Sequence, residues 1–93
     1  MPGSTTSRKF HWVYVLLSLR DRKRYIGYTI DLRNRFEKHR SGKVISTRHR
    51  RPLIPIYIEG CLNLEDARRR EKYFKTTGGR RFLATRLKIF YKE

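Results

Sequence analysis

Acidic residues are scarce in this chain, which has 8 Asp and Glu against 24 Lys and Arg among 93 residues. The formal net charge of +16 makes a polyanion the expected partner, and nucleic acid is the commonest polyanion in a cell. A solvated basic surface with no partner is the plainer alternative. Because acids are so few, any acid without an evident structural role is a candidate functional group.

Cysteine is also scarce, since Cys61 is the only one. A single cysteine excludes an internal disulfide and a zinc site built from cysteines, and it makes a reducing compartment the expected location of the protein. We therefore expect the cytoplasm, with nucleoid association in a bacterium, or the nucleus in a eukaryote. No apolar run approaches the roughly 20 residues of a membrane helix, and no secretory signal follows Met1. Neither membrane insertion nor secretion is expected.

The domain organisation follows from length and composition. Residues 1–9 are small and polar, with proline and glycine, and are predicted to form a disordered tail or an expression remnant. Residues 10–93 are predicted to form a single domain. It contains three strand patterns and three helix patterns, with the first two strands joined by a short turn, and we expect an α+β fold.

Two strands are predicted close together, at residues 11–17 and 23–28, where β-branched and aromatic residues dominate. Their short connection predicts an antiparallel hairpin. A turn centred between the second and third residues of SLRDR would place Tyr14 directly opposite Tyr25. Gly27 would share that face, and a glycine within a strand often marks the close approach of a ligand or of another backbone.

A third strand is predicted at residues 53–59, after a basic loop at residues 42–52 that is long enough to suggest binding. Pro55 predicts an edge position because proline cannot donate to a ladder. Strand alternation predicts that three isoleucines share one face. These are Ile54, Ile56 and Ile58.

Helical periodicity predicts three helices, over residues 31–40, 62–75 and 80–91. Asp31 and Asn63 are well placed to cap the first two, and Gly78 with Gly79 is predicted to break the chain before the third.

Glu71 stands in the middle of the apolar stripe that Leu64, Ala67 and Phe74 form on the second helix. Together with Glu59, it lacks a structural role that the sequence can assign. Burying a lone carboxylate costs several kcal/mol unless a partner or a metal ion compensates. Either a neighbouring arginine pairs with Glu71, or the carboxylate binds a cation.

The first helix also carries polar residues on its inward face, where Arg35 and His39 lie one turn apart. A pocket between these helices and the tyrosine face would suit phosphodiester cleavage. A carboxylate can hold Mg²⁺ or Mn²⁺, an arginine fork can bind phosphate, and a phenol or imidazole can accept a proton. The predicted pocket contains Tyr14, Tyr25, Gly27, Arg35, His39 and Glu71.

Four segments resemble the GIY-YIG nuclease domain family, across residues 12–75. They are VYV at 13–15, YIG at 25–27, DLRNR at 31–35 with His39, and ARRREK at 67–72. The resemblance is closest to the small single-domain members, the excinuclease-nuclease-like and structure-specific endonuclease-like groups. It implies a three-stranded antiparallel sheet flanked by helices, and water attack on DNA assisted by one divalent ion. Trp12 stands where the first motif has glycine.

The resemblance also implies roles for the strand residues. It makes Tyr14 the general base or water-activating group, and it makes Tyr25 a contact to the scissile phosphate or to water. Gly27 corresponds to the glycine that permits close approach.

The helix residues receive roles in the same way. Arg35 corresponds to the arginine that stabilises the transition state, and His39 to the position that orients the first tyrosine. Glu71 corresponds to the single metal-binding glutamate.

The basic loop is expected to contact the phosphate backbone, which positions a substrate without reading its sequence. We therefore predict a structure-selective or nonspecific DNA endonuclease in repair or recombination, with RNA not excluded and with a partner protein as a further source of specificity. Two alternatives stay open: a binding module with weak or absent catalysis, and a domain that binds an acidic protein. The loop residues predicted to bind nucleic acid are Lys43, Thr47, Arg48, Arg50 and Arg51.

Overall fold

The sheet is built around one buried strand, β1 (His11–Ser18). The structure is a computed structural model that describes residues 9–93, so the predicted tail lies outside the described residues except for its last one. Strands β2 (Arg24–Thr29) and β3 (Leu53–Cys61) pair antiparallel with β1 in the order β2-β1-β3. The predicted three-stranded antiparallel sheet is confirmed, as is the edge position of the third strand.

The register of the hairpin differs from the prediction. Tyr14 lies opposite Gly27, and Tyr25 lies opposite Leu16, so the expected direct pairing of the two tyrosines is wrong. The connection spans residues 19–23 and is closed by backbone hydrogen bonds to the end of β1, which makes it longer than a tight turn. The observed register differs from the predicted one by two residues. Because side chains alternate between the faces with a period of two, Tyr14 and Tyr25 still lie on the same face of the sheet.

A bulge interrupts the pairing of β3 with β1. Ile54 lies opposite Leu17 and Ile58 lies opposite Tyr14, so the two isoleucines point to opposite faces. The extra residue, Ile56, packs against the core. The prediction that the three isoleucines share one face is therefore wrong, because a bulge resets the strand alternation.

The first two helices begin at the predicted caps. The Asp31 carboxylate accepts a hydrogen bond from the Asn34 backbone at the start of α1 (Leu32–Arg40), and Asn63 caps α2 (Leu64–Phe74). A 3₁₀ turn (Arg48–Arg50) interrupts the loop before β3. In the part of the chain that the structure describes, no helix is long and apolar enough to cross a membrane.

The two faces of the sheet are covered by different helices. The Tyr14 ring packs edge-on against Phe36 and His39 of α1. The opposite face forms the main apolar core with α2 and with the helix that follows it, and its buried residues are Val13, Val15, Ala67, Phe74 and Leu83. A site that uses both α1 and α2 must therefore form where the two layers meet at the edge of the sheet.

The predicted chain break at the glycine pair is wrong. Gly78 and Gly79 lie within α3 (Thr77–Arg86), which is followed by the short α4 (Lys88–Tyr91). A Cβ atom on Gly79 would lie 2.1 Å from the backbone oxygen of Tyr73, so this glycine permits the close contact between α2 and α3.

Replacing Gly79 with alanine is expected to destabilise the protein by about 2–3 kcal/mol, because the added methyl group meets backbone that cannot move aside. Urea denaturation measures the change. The neighbouring Gly78→Ala is the matched control, since its Cβ would meet only ordinary contacts and helix propensity favours alanine by about 0.5 kcal/mol. Equal effects of the two substitutions would contradict the packing argument.

Candidate active site

Tyr14 lies at the centre of a buried polar cluster. Its side chain has no solvent-accessible surface, and its hydroxyl oxygen is 2.8 Å from Nε2 of His39. Arg35 donates from Nε to the same oxygen at 3.3 Å. The ring of Tyr25 lies 6.5 Å from that of Tyr14, between centroids. The structure thus brings together four of the residues that the sequence selected for catalysis.

Thr47 extends this cluster on the side of His39 that faces away from Tyr14. Its hydroxyl lies 2.8 Å from Nδ1 of His39, and the Thr47 side chain is fully buried. The prediction that Thr47 contacts nucleic acid is therefore wrong, because its side chain faces the histidine and not the solvent. No periodic pattern marks this contact, since Thr47 belongs to an irregular loop.

The buried cluster shifts the titration of its members. Burial raises the pKa of the Tyr14 phenol, the hydrogen bond and charge of Arg35 lower it in part, and the charges of Tyr25 and Glu71 add to the rise. Tyr14 is thus a protonated phenol at neutral pH. Burial first, and the charge of Arg35 second, lower the pKa of His39 to about 4. His39 is therefore a neutral imidazole at neutral pH.

This neutral histidine is expected to make stability depend on pH. An unfolded histidine titrates near 6.5 and His39 in the folded protein near 4, so the unfolded chain binds more protons between these values. The free energy of unfolding should fall as pH drops through this window, by up to about 3 kcal/mol. Denaturant melts from about pH 7 to about pH 4 measure it, and His39→Gln should flatten the profile. An unchanged slope in that variant would contradict the assignment.

Gly27 serves the packing of Tyr14. A Cβ atom on Gly27 would lie 2.3 Å from both Cζ and the hydroxyl oxygen of Tyr14. The sequence predicted the close approach of a ligand or of another backbone, whereas the structure places the tyrosine ring of the neighbouring strand there.

Glu71 lies on α2 with its side chain 18% exposed. Its carboxylate contacts Arg68 of the same helix at 3.4 Å and Lys75, the C-cap residue of that helix, at 3.6 Å. The two cations are mostly exposed and the distances are long, so these pairs contribute little. The structure thus contains the predicted pairing of Glu71 with a neighbouring arginine. Because this pairing is weak, the carboxylate can still bind a divalent cation.

The other unassigned acid, Glu59, has a structural role. Arg70 donates to both of its carboxylate oxygens, at 2.6 and 2.9 Å, and the Arg70 guanidinium also stacks on the rings of Phe74 and Phe82. Of the two unassigned acids, Glu71 is therefore the one held only by long, exposed ion pairs.

A cleft of about 820 Å³ joins Tyr25 to Glu71. Tyr25 belongs to the edge strand β2 and Glu71 to α2, so the cleft opens where the two layers meet. We call it the hairpin cleft, because the residues of the β1–β2 turn line it further along. The cleft is therefore lined by the Glu71 carboxylate and by Tyr25, whose ring neighbours that of the buried Tyr14.

The donor set suits a hard divalent ion only if other ligands come from outside the chain. Among residues 9–93, no group of three His, Cys, Asp or Glu side chains is placed to hold a metal ion. Mg²⁺ commonly keeps several waters and binds through one carboxylate plus substrate phosphates. A single accessible carboxylate such as Glu71 fits that pattern.

Among the four basic loop residues predicted to bind nucleic acid, two have guanidinium groups that form hydrogen bonds within the protein. Lys43 and Arg48 are exposed. Arg50 donates to the Asp21 carboxylate at 2.7 Å, which lowers the pKa of that acid, so its guanidinium holds the loop to the β1–β2 turn. Arg51 is exposed, but its guanidinium donates to the backbone oxygen of Arg40 at the end of α1.

Comparison with known proteins identifies a family and several relatives. The GIY-YIG catalytic domain matches residues 10–84. A UPF0213 protein of Streptococcus pneumoniae is 45% identical over 65 residues, which is 69% of this chain and 65% of that relative. A UPF0213 protein of Staphylococcus haemolyticus is 36% identical over 67 residues, covering 71% and 80% of the two chains. UPF0213 protein YazA of Bacillus subtilis is 38% identical over 66 residues, covering 70% and 66%.

The chain thus spans just under two thirds of the length of the pneumococcal relative. No solved structure matches it at a significant level. The family match covers most of the chain and confirms the resemblance seen in the motifs. The chain therefore belongs to the GIY-YIG catalytic domain family.

Proposed function

We propose that the protein is a divalent-metal-dependent endonuclease that hydrolyses phosphodiester bonds in DNA by in-line attack of water. Its cutting is structure-selective or nonspecific and serves DNA repair or recombination. One observation carries the proposal. Tyr14, Arg35 and His39 form a hydrogen-bonded cluster beside a cleft that Tyr25 and Glu71 line.

The substrate phosphate is bound by Arg35 and Tyr25. The guanidinium offers a planar fork to two phosphate oxygens and offsets the charge that builds on them during attack. Arg35 also covers the buried Tyr14 hydroxyl, to which it donates. When phosphate binding moves the Arg35 guanidinium toward the cleft, the Tyr14 hydroxyl becomes accessible to the attacking water.

The proton of the attacking water passes through two residues. Tyr14 is protonated at neutral pH, so its oxygen can accept a proton only as it releases its own. The acceptor is Nε2 of the neutral His39, 2.8 Å away. As the water oxygen bonds to phosphorus, one of its O–H bonds breaks and a new one forms on Tyr14, whose own proton passes to His39 and leaves it as imidazolium. The bond from phosphorus to the leaving oxygen breaks in the same step, and that oxygen takes a proton from solvent water.

Glu71 holds the divalent ion, Mg²⁺ or Mn²⁺, at the cleft. When bound, the ion supplies positive charge against the phosphate oxygens. The chain contributes the position, since α2 fixes Glu71 across the cleft from Tyr25.

The test uses purified protein with end-labelled linear, flapped and branched DNA, and RNA of the same sequence, with Mg²⁺ or Mn²⁺ against EDTA. Cleavage is expected only with the metal, and Glu71→Ala should lower the rate about 1,000-fold. Cutting that is unchanged in the variant would show a contaminating nuclease.

A binding module with weak catalysis is the second candidate. The complete burial of Tyr14 favours it, because no water reaches the hydroxyl in this conformation. Tight binding without cleavage of any substrate would support the module. Absence of nucleic-acid affinity at low salt, where such affinity is greatest, would support the third candidate, a domain that binds an acidic protein.

A further inference from the structure

The hairpin cleft continues beyond Tyr25 and Glu71 into a strongly basic region. Glu71 is the one acid among the lining residues that the structure describes. A phosphate held near Tyr25 and Glu71 therefore has cations on its further side. The basic residues that line the cleft are Arg22, Lys23, Arg24, Lys75 and Arg80.

Tyr91 adds an aromatic surface to the same cleft. It belongs to α4, beyond the residues that the family match covers, and it is 41% exposed. Arg24 donates to its hydroxyl at 3.0 Å across the cleft, which holds the ring in place. An aromatic ring among cations is the combination that binds a nucleic-acid strand, since bases stack and phosphates pair.

We propose that the hairpin cleft binds the nucleic-acid strand that adjoins the scissile phosphate, with its cations on successive phosphates and Tyr91 stacked on a base. The position of the scissile phosphate rests on the proposed endonuclease function. The basic loop meets the rim of this cleft, because Arg50 also donates to the backbone oxygen of Lys23 at 3.0 Å. The binding surface is therefore wider than the loop that the sequence indicated.

Two triple variants of equal charge test the cations. Arg22→Gln, Lys23→Gln and Arg80→Gln remove cleft charges, and Arg69→Gln, Lys72→Gln and Arg81→Gln remove the same charge outside the cleft.

Affinity for a short labelled single-stranded oligonucleotide is measured by anisotropy in EDTA at several salt concentrations. The cleft triple should weaken binding at least tenfold more than the control triple and should reduce the salt slope by about 2. Equal losses would show that overall charge alone drives binding, and would overturn the proposal. Binding in EDTA does not depend on cleavage, so this result stands apart from the nuclease test.

The stacking role of Tyr91 is tested by two substitutions at that position. Tyr91→Ala should weaken binding about tenfold, whereas Tyr91→Phe keeps the ring and should bind nearly as the wild type does. Ile89→Ala, on the same short helix and 64% exposed, is the control and should change nothing. Equal losses from Ala and Phe would overturn the stacking role.

A separate observation concerns Thr47. The phenol of Tyr14 is enclosed, accepts from Arg35, and has its nearest acceptor in Nε2 of His39. If Nε2 carried the imidazole proton, this phenolic donor would be left without an acceptor, at a cost of about 1–3 kcal/mol. The arrangement that satisfies the phenol therefore has the proton on the other ring nitrogen, Nδ1, which donates to Thr47.

We infer that Thr47 is a positioning residue, whose hydroxyl accepts from Nδ1 of His39 and so keeps Nε2 free to take the Tyr14 proton. The contact needs a residue with a buried oxygen at this point of the loop. The loop that carries the exposed cations therefore also determines which ring nitrogen of His39 is protonated.

The tautomer is read from the ¹⁵N resonances of the His39 ring, which do not depend on cleavage. The wild type should show the proton on Nδ1, and Thr47→Ser should preserve it. Thr47→Val keeps the shape but removes the acceptor, so it should lose that tautomer and lower kcat about tenfold with KM little changed. A wild-type proton on Nε2, or normal kcat in Thr47→Val, would overturn the inference.

Discussion

Exchanging Arg35 for alanine is expected to lower the rate of cleavage about 100-fold to 1,000-fold, because it removes the donor fork that we propose binds the reacting phosphate. Arg35→Lys keeps the charge but loses the planar fork, and it should recover only part of the rate. Single-turnover kinetics on a labelled substrate separate this loss from weaker binding. The loss should fall mainly on the chemical step, since the net charge changes little.

Arg33 is the matched control. It is exposed and lies two residues earlier on the same helix. Arg33→Ala changes the net charge as Arg35→Ala does, but it leaves the Tyr14 cluster intact. A rate loss of the same size in both variants would mean that the arginines act through overall charge.

Arg35→Ala should also change the titration of its neighbours. The charge of Arg35 helps to lower the pKa of His39, so this pKa should rise when the charge is removed. The pKa of Tyr14 should rise further, because Arg35 partly opposes the effect of burial. NMR titration of His39 follows the first change without any substrate. This readout tests the cluster even if cleavage proves weak.

Local patterns predicted the elements of this fold but not the contacts between them. Asp31 and Asn63 were identifiable as caps because capping uses neighbouring residues. The glycine pair was misjudged because Gly79 is required by the backbone of Tyr73 in another helix. The register of the hairpin and the bulge in β3 likewise depend on pairing that a single strand does not encode.

The same division applies to the candidate site. Arg35 and His39 were identifiable because a polar residue on an inward helix face violates the helical pattern. Thr47 was assigned to the wrong surface because an irregular loop has no period from which to infer burial. The sequence predicted that Arg50 binds nucleic acid, because its partner Asp21 is 29 residues away and no local pattern reveals the pair. In so basic a chain, composition cannot tell a structural arginine from a binding one.

Gly27→Ala is expected to destabilise the protein by about 2–3 kcal/mol and to impair cleavage as well. The new methyl group would lie 2.3 Å from Tyr14, whose ring is enclosed by Phe36 and His39 and has no room to retreat. Any shift of the ring moves its hydroxyl away from His39, so stability and activity should fall together. Urea denaturation and the cleavage assay measure the two effects.

A double-mutant cycle assigns the cost to the tyrosine. In a Tyr14→Ala background the obstructing ring is absent, so Gly27→Ala should cost nothing and should gain about 0.5 kcal/mol, since glycine is unfavourable inside a strand. Gly60→Ala is the control on the other edge strand. Its Cβ would meet Trp12 at 2.8 Å, at the far end of a half-buried side chain that can move. If Gly27→Ala costs the same with and without the Tyr14 ring, another contact requires the glycine, and the close packing of the two motifs does not hold the tyrosine in place.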